Sequence, residues 1–415
     1  MKLVYVLLDG VGDRPNKSLN WTTPLEAAVT PNLDRLAMNS VSGKVQTVGK
    51  DIAPESDIAV FSMLGYDFSS GYVGRGAVEA IGSGMTFKTG DLALRGNFAT
   101  VNNSGEIIDR RAGRDLETKE ASELASYLNS KLELSKDVQV SLKATVGHRC
   151  SVVISNSREV LSANISNTDP AYLRVNGIGV ALENVSKMTI NQSEPIDDNN
   201  PRSVLAAKLV NQFSKKCSEL LQEHPVNTAR RKKGKSPANA ILLRDASDKQ
   251  VELESFYDKF HLKMGALVDM PVEIGIAKMT DIQPFPSFPA LTDKAKQVQK
   301  ILHDFDGVYV HIKGPDEPGH DGDADLKKRI IEEIDSQFFA QLVKLDSAQT
   351  LIVVSADHAT PCQLQGHSSD PVPVIFSRLG LSDNTARFTE KETSRGSLGL
   401  ISGVDVMPSA VKYLE

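Results

Sequence analysis

The sequence has few cysteines and no excess of positive charge. Its three cysteines, Cys150, Cys217 and Cys362, form no CxxC pair and cannot all be joined in disulfides within one chain, so we expect a reducing, cytoplasmic environment. The formal net charge of −6 argues against a general nucleic-acid-binding protein, because such proteins usually carry a basic surface. Two broad classes, disulfide-rich secreted proteins and nucleic-acid binders, are therefore disfavoured.

Long apolar runs are missing as well. No segment approaches the roughly 20 apolar residues that a membrane helix needs, and the run before Asp9 is too short for a signal peptide. We therefore expect no membrane partner. The composition, 40% hydrophobic and 24% charged, is ordinary for a globular protein, and 415 residues allow two or three domains. The sequence leaves the oligomeric state open.

The segment from Gly314 to Asp323 (GPDEPGHDGD) places acidic residues and a histidine among glycines and prolines. Residues 306–312 before it are predicted to form a buried strand. Residues 324–345 after it are predicted to form a long amphipathic helix, because apolar residues recur there at helical spacing. The segment is therefore predicted to be a rigid loop at the carboxyl end of a strand, where open α/β sheets place their functional residues. Aspartate and histidine in such a loop suit a divalent metal ion.

Two further predicted strands end in similar residues. Residues 349–355 run into Asp357 and His358, and His367 follows nine residues after His358. The first predicted strand ends at Asp9. Because the carboxyl ends of strands in an open α/β sheet meet at one edge, we expect these side chains to lie close together.

Strand ends therefore supply six candidate metal ligands, which are Asp9, Asp316, His320, Asp357, His358 and His367. One metal ion takes three or four protein ligands, so six candidates suggest two ions. Ser56 stands before an apolar run, at a predicted helix start. Taken singly, each residue has an ordinary explanation as a helix cap, a turn residue or a hydrogen-bonded polar side chain. Those explanations require four unrelated turns to hold such residues by coincidence. Because this is improbable, the metal interpretation is favoured.

The candidate ligands occur near both ends of the chain but not in its middle, which indicates an inserted domain. We expect residues 1–85 and 255–415 to form one doubly wound α/β sheet domain, because the strand ends must share a sheet to bring the ligands together. Residues 86–254 are predicted to form a smaller α+β domain. Its predicted strands and helices are residues 139–144, 150–154, 240–243, 118–128 and 203–221.

Longer motifs around these residues extend over essentially the whole chain. They are LLDGVGDRP, TPLEAAVTPNLDRLA, PESDIAVFSMLGYD, GYVGRGAVEAIG, DRRAGR, PANAILLR, HIKGPDEPGHDGD, SADHATPCQLQGHSSDPVPV and DVMPSAVKYL. Together they resemble the archaeal-type, cofactor-independent phosphoglycerate mutases of the alkaline phosphatase superfamily. The resemblance implies an alkaline-phosphatase-like fold. It also implies the interconversion of 3-phosphoglycerate and 2-phosphoglycerate without 2,3-bisphosphoglycerate.

The resemblance further implies roles for individual residues. It groups the ligands as Asp9, Ser56, Asp357 and His358 for one divalent ion, and Asp316, His320 and His367 for the other. This ligand set suits manganese, zinc, cobalt or magnesium to different degrees. Ser56 would carry the phosphoryl group, with Lys313 and Arg75 also catalytic. The implied substrate contacts in the middle domain are Asp109, Arg110, Arg111 and Arg114. His148, Arg149, Asn239 and Arg244 could face the site as well, and a solvated basic surface is the alternative for all of these residues.

The chain departs from the family pattern at Glu55, at Val60 and in residues 284–294. Family members usually carry glycine and asparagine at the first two positions and a Gly-Ala-Thr-Gly segment at the third. Glu55 places a negative charge beside Ser56, which could lower phosphate affinity or shift specificity. Two alternatives therefore stay open. One is a phosphatase or phosphotransferase acting on another small phosphate ester, and the other is a catalytically weak regulatory paralogue that binds metal and phosphate.

The run RRKKGK, residues 230–235, is a dense cluster of basic residues in the middle domain. We interpret it as a mobile, solvated loop, because runs of like charge are usually solvated. Closure of this loop over phosphate is the alternative.

Overall fold

The computed structural model describes residues 1–68, 74–175, 178–181 and 188–415, and the chain forms two compact units. The first unit comprises Met1–Ser70, Glu254–Asp269 and Thr280–Glu415, and the second comprises Gly71–Leu253 and Met270–Met279. The expected α/β class is confirmed, because helices connect the strands of large sheets. Of the helices within the described residues, none combines the length and apolar character that crossing a bilayer requires.

The first unit is built on an eight-stranded sheet. Across the sheet the strands are Gln283–Pro286, Met264–Val268, Gly307–Ile312, Lys2–Leu8, Thr350–Ser355, Val372–Ser377, Ser40–Gln46 and Gly399–Ser402. Neighbouring strands are parallel, except that Val372–Ser377 runs antiparallel to both of its neighbours. The central strands Gly307–Ile312 and Thr350–Ser355 are buried along their whole length. Burial on both faces explains why these segments are mostly apolar in sequence.

The register of the central strands brings the predicted ligands to one edge of this sheet. Leu8 pairs with Ile312 in one neighbouring strand, and Leu7 pairs with Ser355 in the other. The three strands therefore end level with one another. The loops that follow them, which carry the predicted ligands, emerge side by side.

Helices flank these strands in the sequence of the first unit. They are Pro24–Ala27, Pro31–Met38, Ser56–Met63, Phe256–Phe260, Leu291–Asp304, Asp316–Asp321, Ala324–Ile334, Ala340–Leu342, Glu390–Thr393 and Val406–Leu414. Single turns of 3₁₀-helix occur at Lys17–Leu19 and Gly403–Asp405.

The long helix predicted over residues 324–345 is interrupted. It is α-helical over Ala324–Ile334 and then widens into a π-helical turn at Asp335–Phe339. In this turn the Asp335 carboxylate accepts hydrogen bonds from the backbone N–H groups of Asn32 (3.3 Å) and Leu33 (2.7 Å). These groups lie in the first turn of another helix and have no partner within it. The π-helical turn therefore places Asp335 in a contact between helices, which apolar periodicity in the sequence cannot predict.

The second unit contains a five-stranded antiparallel sheet. Its strands are Leu92–Val101, Ile107–Asp109, Val138–Ala144, Arg149–Asn156 and Ala240–Ser247. Its helices are Arg75–Gly82, Thr118–Lys131, Pro201–Leu221, Pro225–Lys232 and Pro271–Met279, and a separate ladder pairs Tyr172–Val175 with Ile178–Ala181. Every strand and helix predicted for the middle of the chain occurs, each extended by one or more residues.

The helix Arg75–Gly82, expected in the sheet domain, lies in the second unit together with Pro271–Met279. These two helices approach each other closely because each has a glycine at the contact. A Cβ on Gly275 would lie 2.0 Å from the carbonyl oxygen of Val78, and a Cβ on Gly82 would lie 1.7 Å from a carbonyl oxygen of the other helix. This contact links residues almost 200 positions apart, which local sequence patterns do not reveal.

Candidate active site

Ser56 is the first residue of the helix Ser56–Met63, as the sequence predicts. Its Oγ lies 3.2 Å from Nε2 of His358. The start of a helix carries a partial positive charge and exposes backbone N–H groups, so it stabilises a nearby anion. A phosphoryl group on Ser56 would therefore stand in a favourable position.

The Asp357 carboxylate joins two of the loops at the sheet edge. Its Oδ1 accepts hydrogen bonds from the backbone N–H groups of Gly10 (3.1 Å) and His358 (3.0 Å). Gly10 has a φ of 61°, and a Cβ there would lie 2.6 Å from both Asp316 Oδ1 and Thr360 Oγ1. Glycine is therefore required for the loops to approach this closely.

One group of potential metal ligands consists of Asp9, His311 and Asp357, all buried, with ligand atoms within 4.8 Å of one another. Nε2 of His311 lies 3.4 Å from Asp357 Oδ2 and 4.0 Å from Asp9 Oδ1. Among the described residues, Asp9 Oδ1 and Asp357 Oδ2 are buried and accept no hydrogen bond. Buried carboxylate oxygens are rarely left in this state, and a cation between them would satisfy both.

A second group consists of Asp316, His358 and His367, again within 4.8 Å of one another. Nε2 of His367 lies 3.5 Å from Asp316 Oδ1, and Nε2 of His320 lies 3.5 Å from Asp316 Oδ2. The rings of His358 and His367 stack with their centroids 3.8 Å apart. The loop that carries Asp316 thus meets the loop that carries His358 and His367 at a single carboxylate.

Two of these histidines are oriented by hydrogen bonds from Nδ1. Nδ1 of His367 donates to the backbone carbonyl of Pro54 (2.8 Å), and Nδ1 of His320 donates to that of Gln365 (3.1 Å). Because a carbonyl can only accept, these contacts assign the hydrogen to Nδ1. Nε2 of each ring therefore faces the Asp316 carboxylate. The Nε2 hydrogen of His367 donates to Asp316, and loss of that hydrogen would leave a lone pair oriented toward a metal ion.

Thr360 orients the remaining histidine. Its Oγ1 donates to Asp316 Oδ1 (2.6 Å) and lies 3.0 Å from Nδ1 of His358. Since the hydroxyl hydrogen goes to Asp316, the oxygen accepts from Nδ1 of His358. Nε2 then keeps its lone pair, which can accept from Ser56 Oγ or bind a metal ion. The loop is supported from below by Lys327, which is 0% exposed and donates to the Thr360 carbonyl (2.9 Å) and to Asp13 Oδ2 (2.8 Å).

The protonation of the site follows from burial and from these contacts. Burial raises the pKa of Asp9 to about 7, although the Lys313 ammonium, with Nζ 2.9 Å from Asp9 Oδ2, opposes the shift. Burial also raises the pKa of Asp316, but the hydrogen bond from His367 and the neighbouring imidazoles outweigh it and bring that pKa below its usual range. Burial lowers the pKa of His367, yet Asp316 prevails and raises it to about 9. The carboxylates and imidazoles thus favour a positive charge between them, which a proton or a metal ion can supply.

The structure brings all six candidate ligands to one edge of the sheet. His358 lies near both groups, since its Nε2 is 3.5 Å from Asp9 Oδ1 and 3.3 Å from Asp357 Oδ2. His311 is a further member that the sequence analysis missed. The available signal was a single histidine within the otherwise apolar strand Gly307–Ile312.

Two predicted substrate contacts in the second unit are bound to a buried carboxylate. Nη2 of Arg110 lies 2.7 Å from Asp169 Oδ2, and Nη1 of Arg244 lies 3.0 Å from the same oxygen. Both guanidinium groups also stack on the Tyr172 ring, at 5.2 Å and 4.2 Å from its centroid. These arginines are therefore held rigidly, and part of their hydrogen-bonding capacity is already used.

Arg111, Arg114 and Arg149 form no ion pair with a carboxylate in the part of the chain that the structure describes. Burial, together with the charges of surrounding arginines, lowers the pKa of Arg149 to about 10. Burial and the charges of Arg149 and Arg111 likewise lower the pKa of His148 to about 4. Cations that converge without carboxylate partners are suited to binding an oxyanion.

Three other predicted site residues, including the predicted catalytic Arg75, have hydrogen-bond partners within the second unit. The Asn239 carboxamide bonds to both the N–H and the carbonyl of Val101, each at 2.9 Å. Asp109 Oδ1 accepts a hydrogen bond from the backbone N–H two residues later (2.6 Å). Nε of Arg75 donates to Glu79 Oε1 (3.0 Å). These hydrogen bonds stabilise the second unit and fix the orientation of the three side chains.

The interpretation of residues 230–235 as a mobile loop is wrong for their first members. Residues up to Lys232 belong to the helix Pro225–Lys232, and Arg230 is only 1% exposed. Its guanidinium is neutralised by Asp115 and Glu120, which lie more than 100 positions earlier in the chain. Charge density alone did not reveal this long-range pairing.

Comparisons with known proteins agree with the motifs. A family described as 2,3-bisphosphoglycerate-independent phosphoglycerate mutase matches residues 37–227. The enzyme of that name from Aeropyrum pernix is 42% identical over 431 residues and covers 100% of both chains. Among solved structures, the PH0037 protein from Pyrococcus horikoshii superposes with a TM-score of 0.80 at 29% identity, covering 100% of this chain and 97% of its own. The cofactor-independent phosphoglycerate mutase from Thermoplasma acidophilum superposes with a TM-score of 0.66 at 30% identity, covering 100% of both chains. The resemblance inferred from the motifs is confirmed, and the chain belongs to the 2,3-bisphosphoglycerate-independent phosphoglycerate mutase family.

Proposed function

We propose that this chain interconverts 3-phosphoglycerate and 2-phosphoglycerate through a phosphoserine at Ser56, without 2,3-bisphosphoglycerate. The observation that carries the proposal is the position of Ser56 Oγ, 3.2 Å from His358 Nε2 at a helix start beside two clusters of aspartate and histidine. The serine hydroxyl is the group there that suits taking up and returning a phosphoryl group. Family membership supports the same reaction.

Two divalent metal ions fit the two clusters. Asp9, His311 and Asp357, with Ser56 beside them, would hold one ion, and Asp316, His320 and His367 would hold the other, with His358 between. When bound, the ions would activate the serine hydroxyl and stabilise the phosphoryl oxygens. The buried oxygens of Asp9 and Asp357 that accept no hydrogen bond among the described residues support this assignment. Manganese, zinc, cobalt and magnesium are all compatible with the ligand set.

Ser56 acts in both halves of the proposed reaction. In the first half, the phosphorus–oxygen bond to the substrate breaks as a bond to Ser56 Oγ forms, and the serine proton ends on the glycerate oxygen. In the second half, the other glycerate hydroxyl takes the phosphoryl group and its proton returns to Ser56. Lys313, whose Nζ lies 2.9 Å from Asp9 Oδ2, places a cation beside the site and favours an anionic substrate.

The second unit retains the glycerate between the two halves of the proposed reaction. Arg111, Arg114 and Arg149 offer guanidinium groups that match a carboxylate or phosphate bidentately. Arg75 and Arg244 add positive charge near Arg149, and Arg110 adds it near Arg111, whereas a pKa of about 4 keeps His148 neutral there. A retained glycerate can re-orient and take back the phosphoryl group before water does. This competition separates a mutase from a phosphatase.

We further infer that the enzyme works in the cytoplasm on a small phosphorylated substrate. The three cysteines are free and buried, which suits a reducing compartment. The negative net charge of −6 gives no reason to expect nucleic acid as a partner.

The decisive experiment measures phosphoglycerate isomerisation and phosphate release side by side in the wild type and in Ser56→Ala. We expect isomerisation in the wild type without added 2,3-bisphosphoglycerate and a phosphate group on Ser56 in trapped intermediates. Ser56→Ala removes the nucleophile, so it should lose turnover while still binding metal at the Asp316 cluster. Ser62→Ala, a buried serine on the same helix, is the matched control and should keep its activity.

Other outcomes identify the alternatives. Isomerisation by Ser56→Ala at the wild-type rate would refute the mechanism. Release of phosphate without isomerisation by the wild type would favour a phosphatase, consistent with the negative charge of Glu55 close to His367. Binding of metal without turnover of any phosphate ester would favour a regulatory paralogue.

A further inference from the structure

The turn at Ala112–Arg114 in the second unit has an unusual backbone. Three successive residues, Ala112, Gly113 and Arg114, have φ values of 46°, 80° and 56°. Glycine adopts this left-handed region readily, but alanine and arginine do so rarely because of their Cβ. Two non-glycine residues in one such turn persist only where the surroundings hold them, and such strain is concentrated at functional sites.

Arg230 is the group that holds this turn. Its Nη2 donates to the carbonyl of Ala112 (3.2 Å), and its Nε donates to the carbonyl of Ser236 (2.8 Å). Its Nη1 reaches the Asp115 carbonyl (3.4 Å) and a Glu120 carboxylate oxygen (2.6 Å). The side chain is only 1% exposed, so a rigid, fully hydrogen-bonded cation lies directly beneath the turn.

The turn carries two of the cations that have no carboxylate partner among the described residues. Arg111 precedes it and Arg114 ends it. The pKa of Arg111 is lowered first by burial and then by the charges of Arg114, Arg110 and Arg244, so these cations converge on the same region. Like charges repel when brought together, and this arrangement therefore needs a rigid support.

We propose that Arg230 is a positioning residue, which keeps the turn Ala112–Arg114 left-handed and thereby directs Arg111 and Arg114 at an oxyanion of the substrate. The inference rests on the proposed function, because it assigns these arginines to the glycerate. Arg230 itself touches no substrate and acts through the backbone of the turn.

The test is Arg230→Met, alone and combined with Ala112→Gly. Without the guanidinium, Ala112 should leave the left-handed region and the two arginines should separate. We expect KM for 3-phosphoglycerate to rise at least tenfold, with a smaller change in kcat, and phosphate release to rise relative to isomerisation. Glycine adopts a positive φ without strain, so the double variant should recover part of the lost affinity. A residue that merely stabilises the unit would give no such recovery.

Arg387→Met is the matched control in the first unit. Arg387 likewise donates to two backbone carbonyls, those of Glu26 (3.1 Å) and Ala28 (2.9 Å), and pairs with Asp34 (3.3 Å). Its loss should lower the melting temperature and leave KM unchanged. If Arg230→Met does not fold, Arg230→Lys keeps the charge with fewer donors, and its KM must rise as well.

Three results are decisive. Unchanged KM and unchanged phosphate release in a folded Arg230 variant would overturn the inference, as would a double variant no better than the single one. Absence of phosphoglycerate turnover in the wild type would count against the proposed function alone. In that case calorimetric binding of 3-phosphoglycerate must still weaken in Arg230→Met for the positioning role to hold.

Discussion

At the scale of single residues, the site depends on side chains that would not themselves contact a metal ion or the substrate. Thr360 links Asp316 to His358 through one hydroxyl group, and Lys327 holds the Thr360 backbone from below. Such outer contacts fix the orientation and the tautomer of a ligand. They involve residue types that are common in every protein, so they carry no recognisable sequence signal.

We predict that Thr360→Val weakens the binding of a divalent ion by about 10- to 100-fold, because valine has the same shape but no hydroxyl. Thr360→Ser should restore most of the affinity. The measurement is calorimetric titration of Mn²⁺ into metal-free protein. Thr393→Val is the control, since Thr393 is fully buried and its hydroxyl donates only to the Thr389 carbonyl (2.8 Å). Equal affinities in Thr360→Val and the wild type would remove Thr360 from the site.

A second residue-scale prediction concerns pH. Glu390 is buried, and its carboxylate accepts from the Thr23 hydroxyl (2.7 Å) and from the Asp13 N–H (3.2 Å). Burial raises its pKa from 4.5 to about 7. The folded state therefore holds the proton more tightly than the unfolded state, so this stability is fully present below pH 4.5 and is lost as the pH rises through 7.

Glu390→Gln should remove that dependence. Relative to this variant, the wild type should lose about 2 kcal/mol of unfolding free energy between pH 5 and pH 8. Urea unfolding at both pH values measures the difference, and other titrating groups cancel in the comparison. A constant difference between the two proteins would show that Glu390 ionises normally.

At the scale of secondary-structure elements, sequence patterns located the helices and strands but not the contacts that modify them. Apolar periodicity predicted a helix over residues 324–345, and the π-helical turn at Asp335–Phe339 was missed because Asp335 serves another helix. Residues 230–235 were misinterpreted for a similar reason, since the partners of Arg230 lie far away in the sequence. Local patterns record propensity and amphipathicity, whereas these features depend on tertiary partners.

We predict that Gly275→Ala destabilises the second unit by about 1–3 kcal/mol, because the new methyl group would be forced against the backbone of the neighbouring helix. Its Cβ would lie 2.0 Å from the Val78 carbonyl oxygen, so the two helices must separate. Thermal unfolding measures the loss. Lys278→Ala, at an exposed position of the same helix, is the control and should change stability by less than about 0.5 kcal/mol. A Gly275→Ala variant as stable as the wild type would contradict the close contact.

At the scale of the whole molecule, the sequence indicated six candidate ligands because aspartate and histidine recur where strands end, and the structure places all six at one edge of the sheet. It missed His311, because the position of this side chain beside Asp9 and Asp357 depends on the register of Gly307–Ile312 against two neighbouring strands. The affiliation of Pro271–Met279 with the second unit was also missed, since it follows from a glycine contact with a distant helix. Chemistry at strand ends is local in sequence, whereas register and helix contact are not.

We predict that metal binding stabilises the folded protein. An ion that binds only the folded state adds about 2.7 kcal/mol when its concentration is 100 times Kd. Scanning calorimetry in EDTA and in excess Mn²⁺ should show a higher melting temperature with metal. Asp316→Ala should reduce this shift, because it empties one cluster. Identical melting temperatures in EDTA and Mn²⁺ would contradict the metal sites.

The antiparallel strand Val372–Ser377 has a consequence for how the enzyme tolerates changes in chain length. It lies beside Thr350–Ser355, so residues 356–371 connect neighbouring strands at one edge of the sheet without a crossover helix. Asp357, Thr360 and His367 all lie within this connection. An insertion there would change the distances among these three side chains. A crossover connection, in contrast, can gain residues at the opposite edge of the sheet. Viable insertions should therefore fall in the crossover connections and spare residues 356–371.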